Sequence, residues 1–276
     1  MDERGALVAK PQIVGIVLVH NEDVFVEQAI RNVAKFCDRI HAVDHVSTDN
    51  TWEVLRALER EYEHLDAHRV RHARASHELV ERYAGTDTWV FGVDGDELYD
   101  PERLADFREE LLGGAYRNVF KVASNVLNCV RLDRERLTAS GYLSPPSRSI
   151  TKLYNFAALE SWAGDNSERL HGGTTVFRPG YNELSVENIG EHTAWDDTPL
   201  RCLHVCFLKR SSQDTEPAAA PAGRPILEET ELQDRSWRGG LKRLLRRSRV
   251  PEVSAWKNQK YLRGELASVD ASPFLS

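Results

Sequence analysis

The chain has 276 residues, 41% hydrophobic and 29% charged, with a net charge of −7. This is the composition of an ordinary globular chain of one large or two small domains, and its acidic balance argues against general nucleic-acid binding. No apolar run approaches the roughly 20 residues of a membrane span, no leader peptide is visible, and four cysteines are too few for a disulfide scaffold, so a cytoplasmic protein is expected.

Residues 12–19 are a continuous apolar run, as expected of a central strand in a parallel sheet covered on both faces. His20-Asn21-Glu22-Asp23 follows, and Val24, Val26, Ile30, Val33 and Ala34 then recur at helical spacing, with Asp23 as the expected N-cap. A second unit repeats the plan. A short strand over 39–43 runs into Asp44-His45-Val46-Ser47-Thr48-Asp49-Asn50, and the next helix carries Trp52, Val54, Leu55 and Leu58. Ser47 and Asp49 are candidates to cap it. A weaker strand is expected over 67–70 and a helix over 76–83. A fourth strand begins at Thr88 and ends in Asp94-Gly95-Asp96-Glu97; a helix with Pro101 in its first turn follows and stops at Gly113-Gly114.

Three carboxylates within four residues repel one another and raise each other's pKa, and a bound cation relieves this. Oxygen ligands of this kind suit Mg²⁺, Mn²⁺ or Ca²⁺. The bland alternative is a solvated acidic turn leading the helix at Pro101. Alternating strands and helices predict an α/β fold with a mainly parallel sheet flanked by helices, in which ligands bind beyond the carboxyl ends of the strands. Those ends are His20–Glu22, Asp44–Asp49 and Asp94–Glu97, so three polar clusters converge on one crevice.

Beyond Gly114 the pattern loosens. Strands are expected over 118–125, 149–156 and 200–208, a turn at Ser144-Pro145-Pro146-Ser147, and a polar loop over 164–173. Cys202, His204 and Cys206 alternate along the last strand, but ligands two residues apart stand about 6.5–7 Å apart, which disfavours one zinc ion. Residues 211–225 read as a linker between a domain over 1–210 and a short appendage over 226–276. Residues 235–249 hold seven basic residues and no acidic one, with Trp237, Leu241, Leu244 and Leu245 on one helical face. Such a helix lies on an anionic membrane surface, closes over a diphosphate, or docks by its apolar side; the last is favoured.

The opening strand with His20-Asn21-Glu22, the segment from Asp44 to Thr51, and Asp94-Gly95-Asp96-Glu97 resemble, in order and spacing, the family-2 glycosyltransferases of the GT-A fold. In these, the second segment typically reads Asp-Asp-Gly-Ser-Thr-Asp-Gly-Thr and the third carries an Asp-x-Asp motif. The resemblance covers about the first 110 residues. It implies transfer of a sugar from a nucleotide-diphosphate sugar donor to an acceptor (a small molecule, glycan or lipid-linked group), with Mn²⁺ or Mg²⁺ as cofactor. On this reading Asp94, Asp96 and the downstream His204 hold the cation. His20, Asn21, Glu22, Asp44, Arg74, Asp94 and Gly95 bind the nucleotide sugar. Glu97 is a supporting carboxylate or simply a helix-leading acid. An inverting transfer needs a general base, for which Asp165 and Glu168 are candidates, with Glu191, His192 and Asp196 as competitors; a retaining outcome stays open. Position 45, often a base-reading acid in the family, is His45 here, so the nucleotide is not specified. Two other readings stand beside this one: a metal-dependent nucleotidyl- or phosphoryl-transfer enzyme, and a catalytically idle sugar-nucleotide-binding homologue. Sequence does not set the oligomeric state.

Overall fold

A computed structural model describes residues 10–72, 74–163, 170, 172–214 and 260–276. The first half of the chain is β1 (Gln12–Val19), α1 (Val26–Ala34), β2 (Arg39–Asp44), α2 (Thr51–Glu61), β3 (Leu65–Arg69), α3 (Ala75–Glu78) and β4 (Thr88–Asp94). The short β5 (Glu97–Tyr99) and α4 (Pro101–Leu112) complete it. The second half adds β6 (Lys121–Ala123), β7 (Val126–Asp133), β8 (Thr138–Ser144), β9 (Lys152–Asn155), β10 (Leu159–Ala163), β11 (Thr174–Phe177), β12 (Val186–Asn188) and β13 (Cys202–His204). The chain ends in β14 (Leu266–Asp270) and α5 (Ser272–Leu275).

The main sheet has seven strands in the order β12-β6-β9-β4-β1-β2-β3. Strand β9 runs antiparallel to β4 and β6, and the other pairings are parallel. Strand β1 is buried along nearly all its length, so both faces of the sheet are covered. A second sheet runs β14-β8-β7-β13-β5, and β10 pairs separately with β11.

Helix α1 is the wedge between the two sheets. Val26, Ile30 and Val33 pack on the main sheet with Ile13, Val17 and Ile40, while Ala29 and the preceding Phe25 pack with Leu98, Leu127 and Leu203 of the second. Asn32, buried on the same helix, donates to the carbonyls of Tyr99 and Phe274 at 2.7 and 2.9 Å, which ties β5 and α5 to it. This fixes where the chain passes from one sheet to the other.

Local chemistry departs from the sequence reading in several places. Asp23 does not cap α1, which starts at Val26 without a side-chain cap; its carboxylate accepts instead from the backbone of Asn50 and Ser212. Helix α4 is capped as its sequence dictates, by Asp100 ahead of Pro101, and stops at Gly113. The helix expected over 76–83 is broken into α3 and a single 3₁₀ turn, Glu81–Tyr83, because Val80 N–H closes back on His77 O and Tyr83 N–H on Val80 O. Strands β6, β9 and β13 fall inside the segments expected to hold them and are shorter. At the far end of the segment read as an appendage, β14 pairs with β8. The linker from 215 onward and the basic segment 235–249 lie outside the described residues. Among the described residues no helix is long and apolar enough to cross a membrane.

The strand next to the sheet edge carries a buried titrating group. His41 Nδ1 on β2 lies 3.3 Å from His68 Nε2 and 3.6 Å from Asp66 Oδ2, while Arg82 faces His41 Nε2 at 3.3 Å. Burial, then the neighbouring His68 and Arg82, pushes His41 down from 6.5 to about 4. The unfolded chain therefore takes up a proton near pH 6.5 that the folded chain refuses until about pH 4. The stabilisation is complete above this window and is lost as pH falls through it, by up to about 1.4 kcal/mol per pH unit for one group. The urea midpoint should drop between pH 7 and pH 5, and His41→Gln should flatten that drop. An equal drop in the variant would contradict a buried neutral His41.

Candidate functional site

Strand β4 leaves the main sheet at Asp94, and β5 enters the second sheet at Glu97, so Asp94-Gly95-Asp96-Glu97 is the crossing between them. Glycine is required there by close approach. A Cβ on Gly95 would stand 2.5 Å from a Glu22 carboxylate oxygen and 2.8 Å from Val19 Cγ1. The end of β4 therefore lies directly against the end of β1.

Strand β13 delivers His204 to the same place. It pairs antiparallel with β5, setting His204 opposite Glu97, and Val205 N–H donates to Asp96 O at 2.9 Å. It also pairs with β7, setting His204 beside Asn128. The Asn128 amide nitrogen donates to the carbonyls of Tyr142 and Arg148 at 3.5 and 3.4 Å, so its oxygen faces His204 Nδ1 at 2.9 Å. His204 Nδ1 must then carry a proton. The other ring nitrogen, Nε2, lies 3.9 Å from Asp96 Oδ1, and the Tyr261 ring meets the imidazole edge-on at 5.4 Å between centroids.

Two protein cations stand among the acids. Lys152 Nζ donates to Asp94 at 3.0 Å and Glu97 at 2.7 Å. Burial pushes the Glu97 carboxyl well up, and Lys152 pulls it part of the way back. Arg210 Nη1 donates to Glu22 at 2.9 Å and to Asp96. Burial alone would lower the Arg210 pKa; the Asp96 and Glu22 carboxylates outweigh it and raise it.

The loops after β1 and β2 are clasped together. His20 Nδ1–H donates to His45 O at 2.7 Å, Asn21 N–H to Ser47 Oγ at 2.9 Å, and Glu22 N–H to Thr51 Oγ1 at 2.8 Å. Asn21 Oδ1 accepts from Thr48 N–H at 2.8 Å. Asp44 is fully buried, and its carboxylate accepts from Ser47 N–H and Arg69 Nε, both at 3.0 Å. Val46 has φ +54°, a left-handed conformation costing an L-residue about 1–2 kcal/mol, at the position where the resembling segment carries glycine. His45 Nε2–H donates to Arg71 O at 3.0 Å, while its buried Nδ1 has no partner. Asp49 Oδ1 accepts from Thr51 N–H at the start of α2, where the N-cap position is Asn50 and has no side-chain cap bond, and Ser47 serves Asn21 rather than the helix.

Of the residues singled out in the sequence, Glu22, Gly95, Asp96 and His204 adjoin one another, with Arg210 between Glu22 and Asp96 and with Asp94 beside them on Lys152, although no three of their ligand atoms lie within 4.8 Å of one another; His20, Asn21 and Asp44 shape the loops beside them. Arg74 stands at the start of α3, 3.9 Å from Glu78. Asp165 and Glu168 lie outside the described residues. Glu191 accepts from Asn188, and Asp196 is an exposed partner of Arg201. Sequence reasoning missed Lys152 and Arg210. A lone lysine opening an apolar strand and an arginine just past the last strand were the available signals. Among the described residues the one trio of His, Cys, Asp or Glu with ligand atoms all within 4.8 Å of one another is His41, Asp66 and His68, so Cys202, His204 and Cys206 do not form a zinc site. Arg39 pairs with Asp66 and Arg82 faces His41, which supplies positive charge to that trio already.

The family model for glycosyl transferase family 2 matches residues 16–173. The chain belongs to glycosyl transferase family 2. The family-2 match takes in the three strand ends at Glu22, Asp44 and Asp96; His204 and Arg210 lie beyond it. A search of curated proteins finds no match. Among solved structures, S. aureus TarS is 17% identical with a TM-score of 0.38, over 55% of this chain and 30% of TarS. TarS 1–349 in complex with UDP gives 17% and 0.37, over 55% of this chain and 50% of that one. The mannosyltransferase PcManGT from Pyrobaculum calidifontis, in complex with GDP-Man and Mn²⁺, is 20% identical with a TM-score of 0.32, over 45% of this chain and 36% of its own. The match thus spans half or less of each of these chains.

Proposed function

We propose that this family-2 chain is a metal-dependent glycosyltransferase that moves a sugar from a nucleotide-diphosphate sugar to an acceptor. The observation that carries the reading is the gathering of Glu22, Asp94, Asp96 and His204 where β1, β4 and β13 end. The donor set suits a hard divalent cation, Mn²⁺ or Mg²⁺: carboxylate oxygens plus one imidazole whose other nitrogen is held by Asn128. Asp96 Oδ1 and His204 Nε2, 3.9 Å apart, would close to about 3 Å to take adjacent positions on one octahedral ion bound at about 2.1 Å. Asp94, held by Lys152, would have to turn towards Asp96 to complete the set, since no three of these residues' ligand atoms lie within 4.8 Å of one another. A divalent cation supplies Lewis-acid stabilisation of the diphosphate as the glycosidic bond breaks.

The chain's own groups do the rest in this reading. The His20–Glu22 loop, Asp44 and Gly95 shape the donor cleft. Lys152 fixes the orientation of Asp94 and Glu97. Asp165 or Glu168 takes the acceptor's proton in an inverting transfer, and Arg74 is the outlying candidate for a phosphate contact.

Thermal shift against a panel of sugar nucleotides, with Mn²⁺ and with chelator, tests this. One nucleotide class should raise the melting temperature by several degrees in Mn²⁺, and much less with chelator. No metal-dependent stabilisation by any donor would overturn the reading. Stabilisation without turnover in the presence of acceptors would make the chain a sugar-nucleotide binder instead.

A further inference from the structure

Arg210 is more than a neutralising charge. Its guanidinium joins two strand ends, Glu22 after β1 and Asp96 after β4, and its side chain is only 13% exposed. The residues that follow lie across the same loops. Val24 N–H donates to Arg210 O at 3.0 Å, Ser211 Oγ to Asp49 at 2.6 Å, Ser212 N–H to Asp23 at 2.7 Å and Gln213 Nε2 to Thr48 O at 2.7 Å. Asp214 closes the segment on itself by accepting from the N–H groups of Arg210 and Ser211. Residues 210–214 therefore form a strap over the β1 and β2 loops, anchored at its start by a guanidinium on Asp96.

Asp96 faces two ways. One carboxylate oxygen takes Arg210 and the other faces His204 Nε2. A dication beside Asp96 would stand within a few ångströms of a buried guanidinium, and like charges at that range repel strongly where water is scarce. We propose that Arg210 is the resident counter-ion of this site: it holds Asp96 and Glu22 in place, is displaced from Asp96 when a divalent cation binds, and so couples cation binding to release of the 210–214 strap. This rests on the reading that the cation binds at Asp96. The displaced guanidinium stays tethered beside the cleft, where a diphosphate oxygen is a natural partner.

Mn²⁺ titration of the full chain, read by the electron paramagnetic resonance signal of free Mn²⁺, tests the proposal with wild type, Arg210→Gln, Arg210→Lys and Asp96→Asn. Arg210→Gln should bind Mn²⁺ at least about fivefold more tightly than wild type, the lower end of ordinary coupling between sites. Arg210→Lys, which keeps the charge, should stay near wild type. Binding lost in Asp96→Asn but equal in wild type and Arg210→Gln would overturn the role of Arg210 and leave the cation site standing. Binding unchanged by Asp96→Asn would remove the cation site, and the proposal with it. A readout on the wild-type chain covers the case in which Arg210→Gln fails to fold. Mn²⁺ should speed hydrogen exchange of the Ser211 and Ser212 amides, which are bonded to Asp214 and Asp23 in the strap. Unchanged protection at saturating Mn²⁺ would overturn the proposal.

Discussion

Asp96→Asn should cut sugar transfer by two to three orders of magnitude and leave the fold in place. Asparagine keeps the size of a side chain packed between Arg210 and His204, so the crossing from β4 to β5 is preserved. What is lost is the negative charge that would hold the cation. Lewis-acid stabilisation of a leaving group is worth several kcal/mol, and each 1.36 kcal/mol is tenfold in rate, so a loss of about 10²–10³ follows. The measurement is turnover at saturating Mn²⁺, with far-UV circular dichroism as the control for folding. Activity within tenfold of wild type would take Asp96 out of the cation site.

Lys152→Met should be the most destabilising change near the site, at up to about 3–5 kcal/mol, because it removes the charge that opposes the effect of burial on Glu97. Lys152 is 7% exposed, and of its two acidic partners Glu97 is fully buried while Asp94 is partly open to solvent. The main cost is therefore Glu97, left with the Tyr99 hydroxyl at 3.2 Å and with Asp94, a second acid, beside it. Urea unfolding measures the loss. Adding Glu97→Gln should restore part of it, since the amide carries no charge to strand. A loss below about 1 kcal/mol in the single variant would mean that the pair is not a buried ion pair.

The strand ends were legible because their signal is local. An apolar run that stops at a polar cluster, repeated at Val19, Val43 and Val93, fixes both the parallel sheet and the edge on which residues gather. His204 was legible for a related reason, since it sits in an alternating apolar strand just ahead of the segment that reads as a linker. What supports these residues was not legible. Lys152 reaches Asp94 and Glu97 only because β9 runs antiparallel beside β4, and Arg210 reaches Asp96 and Glu22 only because the chain folds back after β13. Such pairings span 55 to 188 positions of sequence and leave no periodicity to read. The acid cluster suggested a missing cation; two protein cations already stand in it. Asp44 shows a second limit. The sequence marks an acid at that strand end, but not that its carboxylate closes its own loop onto Ser47 and meets Arg69. The β7–β8 hairpin was missed for want of a turn signal, since Arg134-Glu135-Arg136 joins the strands and Leu137 takes the left-handed conformation, φ +52°, that glycine or asparagine usually marks.

Release of nucleoside diphosphate from a panel of sugar nucleotides, measured on the full chain with Mn²⁺ and with chelator, bears most directly on sugar transfer at this site. One nucleotide class should be turned over in Mn²⁺, the rate should fall to background with chelator, and Asp96→Asn should match the chelated enzyme. Release that is equal with and without metal, or equal in wild type and Asp96→Asn, would contradict a cation held at Asp96 as the centre of the chemistry.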